Sequence, residues 1–577
     1  MEIFDSYRNY KSHEKEYDIW KKKADADNQK RLNYLKKNPV SEAERKMAIQ
    51  RGERVLEAID TMDELSQSNA EDTEAIMQTA ISGITSVISQ VAAAATVLAI
   101  FGIPFLRNYL MKNQNSPGKV TLLLSLPTMI VSALAYIPLA AADAKLEMKA
   151  SSQGRFEAMK KDLSQVQQFS ILSSEQQEEQ KKLSKDVVLD KKEERKKTFN
   201  LNIIDSINTV KNLVTKGKEH EKDKKAFEEE LAALSPKDGA VIDKKQMEEA
   251  KRNQQLLFKT VEKIDIASQD YAENVEMTTK ISTGLIAMLL AGSSFSAEKI
   301  MRKMAPKMSE NKRSLIIMAG ALLPLALWNI FTAKIDKYAS RIGRYKAIKD
   351  LKQNPDNFVY VSDEAIKNEP DVIQKDKPKG IFQSVKNFFS FAKQMFKDNK
   401  EYNEYLKKEA IESRKMNKAL NKIKLTKEQE VQAKELQLST FKTFNRVDAN
   451  SQKFSENTEA LGEIAGRFIG IGSSLILMLL MMKDMDKVVK NNKNKNFMMS
   501  KALLQNLLIA FLPACLLEIF ITKEQKKASR VANMMAIKDL EDYRNFVYRS
   551  NENKDASKTG NVSVINSVVK AENAKRA

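Results

Sequence analysis

The chain has 577 residues, with 96 lysine and arginine residues against 76 aspartate and glutamate residues, giving a formal net charge of +20 at pH 7. Its 17 glycines and 12 prolines are too few for a sheet protein with many tight turns, and they favour long helices. One cysteine, Cys515, excludes an internal disulfide framework and a cysteine-cluster metal site. Two distant histidines, His13 and His220, support no histidine-based metal site or catalytic triad. We predict an all-α protein, and the excess positive charge suits an anionic partner.

Residues 1–62 form a charged N-terminal region that favours helix. Pro39 predicts a break, and Ser41 with Glu44 matches a capping box at the start of the next helix. The first 20 residues contain no apolar core of a cleavable secretory signal. We therefore expect this region to be made, and to remain, in the cytoplasm.

An acidic string then occurs three times along the chain. The pattern D-x-x-S-Q-x-x-[AS]-E-[ND]-x-E covers Asp63–Glu74, Asp265–Glu276 and Asp448–Glu459. At ~100° per residue, the shared polar positions of one copy fall on one arc of a helix. The strings predict a repeated acidic stripe. Its carboxylates are Asp63, Glu71, Glu74, Asp265, Glu273, Glu276, Asp448, Glu456 and Glu459.

Two apolar stretches follow each acidic string and predict a helical hairpin. They cover 75–106 and 120–142, then 281–297 and 314–333, then 468–482 and 502–522. Crossing a hydrocarbon core of ~30 Å takes ~20 residues of helix. The first pair is long enough, whereas the shortest stretch would reach only about 22 Å. Glu518 interrupts the last stretch and is the candidate intramembrane ionisable residue, with a transport or proton role to be tested.

A basic helix leaves each hairpin, at Lys145–Asp162, Lys334–Leu351 and Lys523–Leu540, with the same spacing between copies. In the second copy, Ala339 and Ala347 belong to a separate small-residue face, which permits close helix approach. The matching lysines and serines are the candidate residues of this helix. They are Lys145, Ser151, Lys160, Lys334, Ser340, Lys349, Lys523, Ser529 and Lys538.

Because the acidic helix enters the hairpin and the basic helix leaves it, both project from the same side. We predict that their charges pair along each hairpin as a zipper, with Glu273 facing Arg344. Three other interpretations remain open. Both motifs could serve only helix packing, the acidic stripe could bind a cation, or the basic edge could bind anionic lipid headgroups.

The repeats cover 63–163, 265–362 and 448–550, and two polar connections, 164–264 and 363–447, separate them. The connections predict surface helices or short coiled coils, with breaks at 235–239, Glu369-Pro370 and Pro378. A shared N-F-V-Y string at 357–360 and 545–548 predicts that a helix end folds back onto the bundle. Residues 551–577 predict a disordered tail.

Enzyme motifs are missing from the sequence, which contains no phosphate-binding loop, zinc-protease motif or nucleophile elbow. We predict no catalytic residue, cofactor or metal. The leading hypothesis is a non-enzymatic integral membrane scaffold that contacts anionic lipid and self-associates or recruits protein partners through its polar helices. A channel, translocator or pore-forming protein is the alternative, and a soluble helical oligomer with buried apolar hairpins is the second. No specific nucleic-acid binding is expected.

Two passes per repeat would place both termini and both connections on one side of a membrane. We expect that side to be the cytoplasm. However, the short hairpin loops are rich in lysine and arginine, and basic loops ordinarily stay on the cytoplasmic side. An inverted orientation, or hairpins that enter and leave one leaflet, would resolve this conflict.

Overall fold

The computed structural model describes residues 2–112, 117–162, 165–189, 203–234, 242–370, 394, 397–490 and 495–548. The all-α prediction is confirmed, since these residues are helical and include no strand. The helices, in chain order, are α1 Glu2–Lys37, α2 Glu42–Gly102, α3 Pro104–Lys112, α4 Pro117–Glu157, α5 Ser174–Lys185, α6 Ile203–Thr215, α7 Gly217–Leu234, α8 Lys244–Met304, α9 Glu310–Gln353, α10 Asp363–Ile366, α11 397–407, α12 Glu409–Leu420, α13 Lys427–Lys490 and α14 Lys495–Asp539. The predicted breaks at 235–239 and Pro378 and the predicted tail 551–577 lie outside the described residues.

Six long helices form the centre of the protein. Within each pair of consecutive long helices, α2 packs along α4, α8 along α9 and α13 along α14. We call α2, α8 and α13 the inner helices because they contact one another, and α4, α9 and α14 the outer helices. Each outer helix also packs against the inner helix of a different pair: α4 on α13, α9 on α2 and α14 on α8. The three pairs therefore form a closed ring.

Local sequence explains both ends of α2. The Ser41 side chain accepts a hydrogen bond from the backbone N–H of Glu44 at 3.2 Å, as predicted for a helix N-cap. At the other end, Pro104 disfavours helical geometry at the residue before it, and Ile103 is extended. The apolar stretch predicted as one helix over 75–106 is therefore two helices, α2 and α3.

The main hydrophobic core lies among the polar halves of the six long helices. We call these halves the base, and the apolar stretches the arms. Leu56, Ile59, Leu257, Ile264 and Phe444 are almost completely buried in this core. Burying side chains of this size stabilises the fold by about 1.5–3 kcal/mol each. Most of the buried apolar contacts that hold the ring together therefore lie in the base, and a smaller cluster that includes Ile81 and Tyr136 lies where the first arms begin.

Glycines allow the inner and outer helices of a pair to approach closely. A Cβ atom on Gly154 would lie 2.1 Å from the carbonyl oxygen of Leu65, and one on Gly343 would lie 2.3 Å from that of Ala267. Neither contact is possible, so both positions require glycine. These glycines lie on the outer helices, whose small residues thus set the spacing within the pair.

The chain reverses direction after each outer helix and returns an aromatic side chain to the core. Phe358 and Phe546 lie in short 3-10 turns after α9 and α14, and both are buried in the main core, as the shared N-F-V-Y string predicts. Phe169 does the same after α4, although its sequence lacks the string. Sequence reasoning missed this third reversal.

Helices of the connections and of the N-terminal region flank the ring. α6 packs on the first pair, whereas α1 packs on the third. On the second pair, Tyr402 and Leu406 of α11 are buried against Tyr271 and Ile342. Each pair therefore has a flanking helix on its outer side.

Among the described residues, two helical segments are long and apolar enough to cross a membrane, Glu42–Ile100 and Leu126–Lys160. Only 12% of the most apolar 18-residue stretch of the first is buried, and 28% of that of the second. Within the part of the chain that the structure describes, their apolar arms are therefore largely uncovered.

Candidate functional site

Three buried aspartates meet where the inner helices come together, on the central axis of the ring. Carboxylate oxygens of Asp63, Asp265 and Asp448 lie within 4.8 Å of one another, and none of these residues has exposed surface. They are the first residues of the three acidic strings. Three carboxylates this close in a dry core would repel one another unless donors or protons compensate them.

Serine hydroxyls supply the first set of donors, and each bond crosses between helix pairs. The three bonds to aspartate Oδ2 atoms are Ser66 to Asp448 at 2.8 Å, Ser268 to Asp63 at 2.8 Å and Ser451 to Asp265 at 3.0 Å. Each serine also shares a hydrogen bond with an outer-helix serine that the basic helix predicted. These pairs are Ser66 with Ser151 at 2.7 Å, Ser268 with Ser340 at 2.8 Å and Ser451 with Ser529 at 2.7 Å. The hydrogen bonds therefore run in one direction around the ring.

Two arginines of the outer helices neutralise two of the aspartates. Arg344 Nη1 donates to Asp63 Oδ2 at 2.8 Å, and Arg155 Nη1 donates to Asp448 Oδ2. Burial raises the pKa of Asp63 to about 6, although the Arg344 guanidinium opposes this shift. Asp63 is therefore ionised at pH 7 and forms a buried ion pair. Removing one partner of such a pair typically costs about 3–5 kcal/mol.

An asparagine occupies the third position. Asn533 Nδ2 donates to Asp265 Oδ2 at 2.7 Å, but the amide carries no charge. Burial, together with the nearby Asp448 and Asp63 carboxylates, raises the pKa of Asp265 well above its usual range. Asp63 and Asp448 each bind a guanidinium group, whereas Asp265 binds only neutral donors among the described residues. We infer that a proton on Asp265 relieves the repulsion among the three carboxylates.

The predicted zipper within each hairpin is wrong in its partners. Arg344 binds Asp63 and, through Nε, Asp60 Oδ1 at 3.1 Å, so it faces the first pair rather than Glu273 of its own pair. The physical reason is that each outer helix leans on the inner helix of another pair. The planar guanidinium also suits a buried site better than the strongly hydrated ammonium of lysine.

The predicted lysines lie away from the aspartates. Three of them, at matching positions, bind carboxylates on the flanking helices: Lys160 to Asp223, Lys349 to Glu401 and Lys538 to Glu16. Lys145 and Lys523 are exposed, and the side chain of Lys334 lies outside the described part of α9. Three predicted lysines therefore attach the flanking helices to the ring.

A second acidic layer lies ~16 Å further along the axis, toward the arms. Here a cavity of about 40 Å³ is surrounded by glutamates. They are Glu71, Glu74, Glu147, Glu273, Glu276, Glu456 and Glu459. Oxygens of Glu74, Glu276 and Glu459 lie within 4.8 Å of one another. All nine residues of the predicted acidic stripe therefore reach the axis, in two layers, and Glu147 of α4 is an addition that the sequence did not reveal.

Two buried side chains of this cavity have an atom without a hydrogen-bond partner among the described residues. Glu273 accepts a hydrogen bond from Ser455 at 3.3 Å through Oε1, but its Oε2 has none. Gln67 Nε2 also has none. Both residues are only 6% exposed. Burial raises the pKa of Glu273, and burial with the neighbouring Glu456 raises the pKa of Glu147.

Glu518, the candidate transport residue, does not line this cavity. It lies on α14, where it is partly buried, about two turns beyond Gln525, which does line the cavity. The structure therefore does not bring Glu518 into either acidic layer.

Sequence reasoning also missed how the aspartates are compensated, since it gave Arg344 the wrong partner and named neither Arg155 nor Asn533. Arg155, Arg344 and Asn533 recur at the spacing of the basic helices, as do the serines four residues before them. The shared spacing could have identified these three positions from the sequence. The asparagine at the third position also distinguishes the third basic helix from the other two.

The two layers combine carboxylates, amides, hydroxyls and guanidinium groups, and the described residues place no histidine or cysteine in them. Such groups can bind cations and hold protons, but they include no activated nucleophile. The chain matches no protein-family model, no curated protein and no solved structure. Function must therefore be inferred from the acidic layers and the arms.

Proposed function

We propose that the protein is a non-enzymatic, multi-pass membrane scaffold made of three copies of one helical hairpin. The arms enter the bilayer, while the base and its flanking helices stand in the adjoining aqueous phase. The observation that carries this proposal is the small buried fraction of the two arms of the first hairpin, 12% and 28% over their most apolar stretches. A helix in the core of a soluble protein would be mostly covered, whereas lipid covers an arm from outside.

The dimensions and the tip of the first arm support insertion. From Ala75 to Gly102, α2 extends ~42 Å at ~1.5 Å per residue, enough for a hydrocarbon core of ~30 Å. Beyond it, α3 exposes Phe105 and Tyr109 and also carries Arg107 and Lys112. Aromatic and basic residues together are typical of a membrane–water interface.

Equivalent contacts support the interpretation as three copies. Serine pairs, donors to an aspartate and lysine links to a flanking helix recur at matching positions in all three helix pairs. A base assembled this way is rigid and presents charged helices outward. Such a surface suits protein partners or anionic lipid headgroups rather than a reaction.

We place the base on the cytoplasmic side, and the lysine-rich segment 487–501 between the two arms of the third hairpin provides the test of orientation. Protease added to intact cells or right-side-out vesicles should cut this lysine-rich loop if the arms cross the membrane fully. Protection of the loop from outside, with cleavage from inside, would instead indicate hairpins that return within one leaflet, or an inverted orientation.

Carbonate extraction and flotation with liposomes test membrane insertion. The full chain should resist extraction and float. Replacing Val91 and Leu98 with glutamate, at arm positions 64% and 73% exposed, should shift much of the protein to the soluble fraction. The reason is that a carboxylate costs about 2.5–3.5 kcal/mol at the centre of a bilayer helix.

The matched control places glutamate at Val188, in the first polar connection, and at Val431, on the base, and both valines are exposed. This control should float like the unmodified chain. Extraction of the unmodified chain by carbonate, as a uniform oligomer without lipid, would contradict insertion and favour a soluble oligomer with buried hairpins.

A cation channel or transporter is the second candidate function. One observation favours it: a layer of glutamates lies on the axis where the arms begin. Ion flux in proteoliposomes tests it. Flux that is reduced at least tenfold by Glu276→Gln but unchanged by the exposed substitution Glu178→Gln would support conduction, and Glu518→Gln would then test the predicted transport residue. Sealed proteoliposomes without flux would leave the scaffold as the function.

A further inference from the structure

We propose that the glutamate-lined cavity between the inner helices binds one divalent cation, with Ca²⁺ the preferred ion. The site joins the three inner helices through Glu74, Glu276 and Glu459. This binding does not depend on membrane insertion, since the cavity lies in the base.

The cavity offers more than a group of acidic residues. Glu273 directs a buried carboxylate into it, and the Oε2 atom of this carboxylate has no hydrogen-bond partner among the residues that the structure describes. Gln67 adds a buried amide with an unpartnered Nε2 atom. Because amide nitrogen and oxygen exchange places by a simple flip, Gln67 can also present a neutral oxygen ligand. A bound cation gives Glu273 Oε2 a partner and, after this flip, is also coordinated by the Gln67 oxygen.

Basic side chains near the cavity are engaged elsewhere. Lys526 donates to Asn274 Oδ1 at 2.5 Å, and Arg530 binds Asp270 Oδ2 at 2.5 Å. Both approach Glu273 from the α14 side without a hydrogen bond to it. The space on the axis is therefore left to an ion that fits among oxygen ligands.

Oxygen spacing favours Ca²⁺ over Mg²⁺. Three oxygens up to 4.8 Å apart surround a point ~2.8 Å from each. Ca²⁺ takes six to eight oxygens at about 2.3–2.6 Å, so a small inward movement of the side chains is enough. Mg²⁺ requires about 2.0–2.1 Å in a strict octahedron and keeps its own water, which demands a larger contraction.

The aspartate layer is the weaker candidate for the same ion. The Oδ2 atoms of Asp63 and Asp448 already accept hydrogen bonds from serine and arginine. A divalent ion there would lie beside two guanidinium groups, which repel it. In the described part of the glutamate layer, the basic groups that act on Glu273 are Lys526 and Arg530, which bind Asn274 and Asp270.

The test uses the full chain, purified in detergent, stripped of metal with a chelator and titrated with CaCl₂ or MgCl₂ by calorimetry. We expect one Ca²⁺ per chain, with Mg²⁺ binding at least tenfold more weakly. Replacing Glu74, Glu276 and Glu459 with glutamine should weaken Ca²⁺ binding at least 100-fold. The charge-matched control, Glu53→Gln with Glu178→Gln and Glu428→Gln on the surface, should bind as the unmodified chain does.

Other outcomes would overturn the proposal. If the triple variant still releases or absorbs heat on Ca²⁺ binding as the unmodified chain does, the ion binds on the surface. Failure of Ca²⁺ to bind at pH 7.5, with proton uptake near neutral pH that the glutamine variant loses, would make the cavity a proton store instead. If the triple variant does not fold, Glu276→Gln alone should weaken Ca²⁺ binding at least tenfold. Loss of Ca²⁺ binding would leave the flotation result unaffected.

Discussion

At the scale of single residues, the three aspartates at the centre of the protein have different partners. Asp63 and Asp448 each face an arginine, whereas Asp265 faces the neutral amide of Asn533. The same carboxylate therefore has two roles. Beside arginine it is half of a buried ion pair, and beside asparagine it is a protonated hydrogen-bonding group.

Asparagine substitutions separate these two roles. Asp63→Asn leaves Arg344 buried without its main partner, so we expect a loss of about 3–5 kcal/mol in the free energy of unfolding. Asp265→Asn replaces a protonated carboxyl with an amide of similar shape, so we expect a change below about 1 kcal/mol at pH 7. Chemical denaturation in the same detergent measures both. Equal losses in the two variants would contradict a protonated Asp265.

The raised pKa of Asp265 also sets the sign of a pH effect. The folded state binds a proton that the unfolded state, with an ordinary pKa of about 3.9, has released above that pH. This contribution to stability is complete below the unfolded pKa and declines as pH rises toward the folded pKa. Asp265→Asn should therefore lower the slope of this decline between about pH 5 and 8. Thermal midpoints at a series of pH values measure it, and unchanged slopes would contradict the assignment.

At the scale of helices, glycines on the outer helices allow close approach to the inner helices. Gly154→Ala would force its Cβ atom into the backbone of Leu65, which cannot move away like a side chain. We expect a loss of about 1–3 kcal/mol, as for other overpacked sites. Gly83→Ala is the control, since no atom lies within 4 Å of its added Cβ. Its helix should become more stable by about 0.5–1 kcal/mol. Similar unfolding curves for the two variants would contradict the close approach.

Helices and their local boundaries were largely predictable, because hydrophobic period and capping are encoded within a few residues. Ser41 and Phe358 show this. The partner of Arg344 was not predictable in the same way. The partner of Arg344 depends on which inner helix its outer helix contacts. Charge complementarity alone would allow Arg344 to pair with a carboxylate of its own hairpin just as well. Phe169 was missed for a different reason, since burial there depends on the reversal of the chain and not on a shared string.

At the scale of the whole molecule, α1 and α11 have equivalent positions. α1 packs beside the third helix pair, and α11 packs beside the second. Lys538 binds Glu16 of α1 at a position that matches the link from Lys349 to Glu401 of α11. Tyr10 of α1 is completely buried, and its hydroxyl donates to Glu524 at 2.9 Å. A helix from the beginning of the chain therefore covers the third pair of the ring.

Removing residues 2–37 should open the ring at the third pair. Burial of Tyr10 and Tyr17 alone contributes about 3–6 kcal/mol, taking ~1.5–3 kcal/mol for each large side chain. We expect a lower thermal midpoint and new proteolytic cleavage in the base part of α14, where Ala528, Val531 and Ala532 are buried beneath α1. Adding a peptide of residues 2–37 should restore protection, because the flanking helix contributes by contact and not by connectivity. Removal of 551–577 is the control for truncation. If both truncated chains unfold and resist protease like the full chain, then α1 is dispensable, and the ring is closed without it by the hydrogen bonds that serines of one helix pair donate to aspartates of the next.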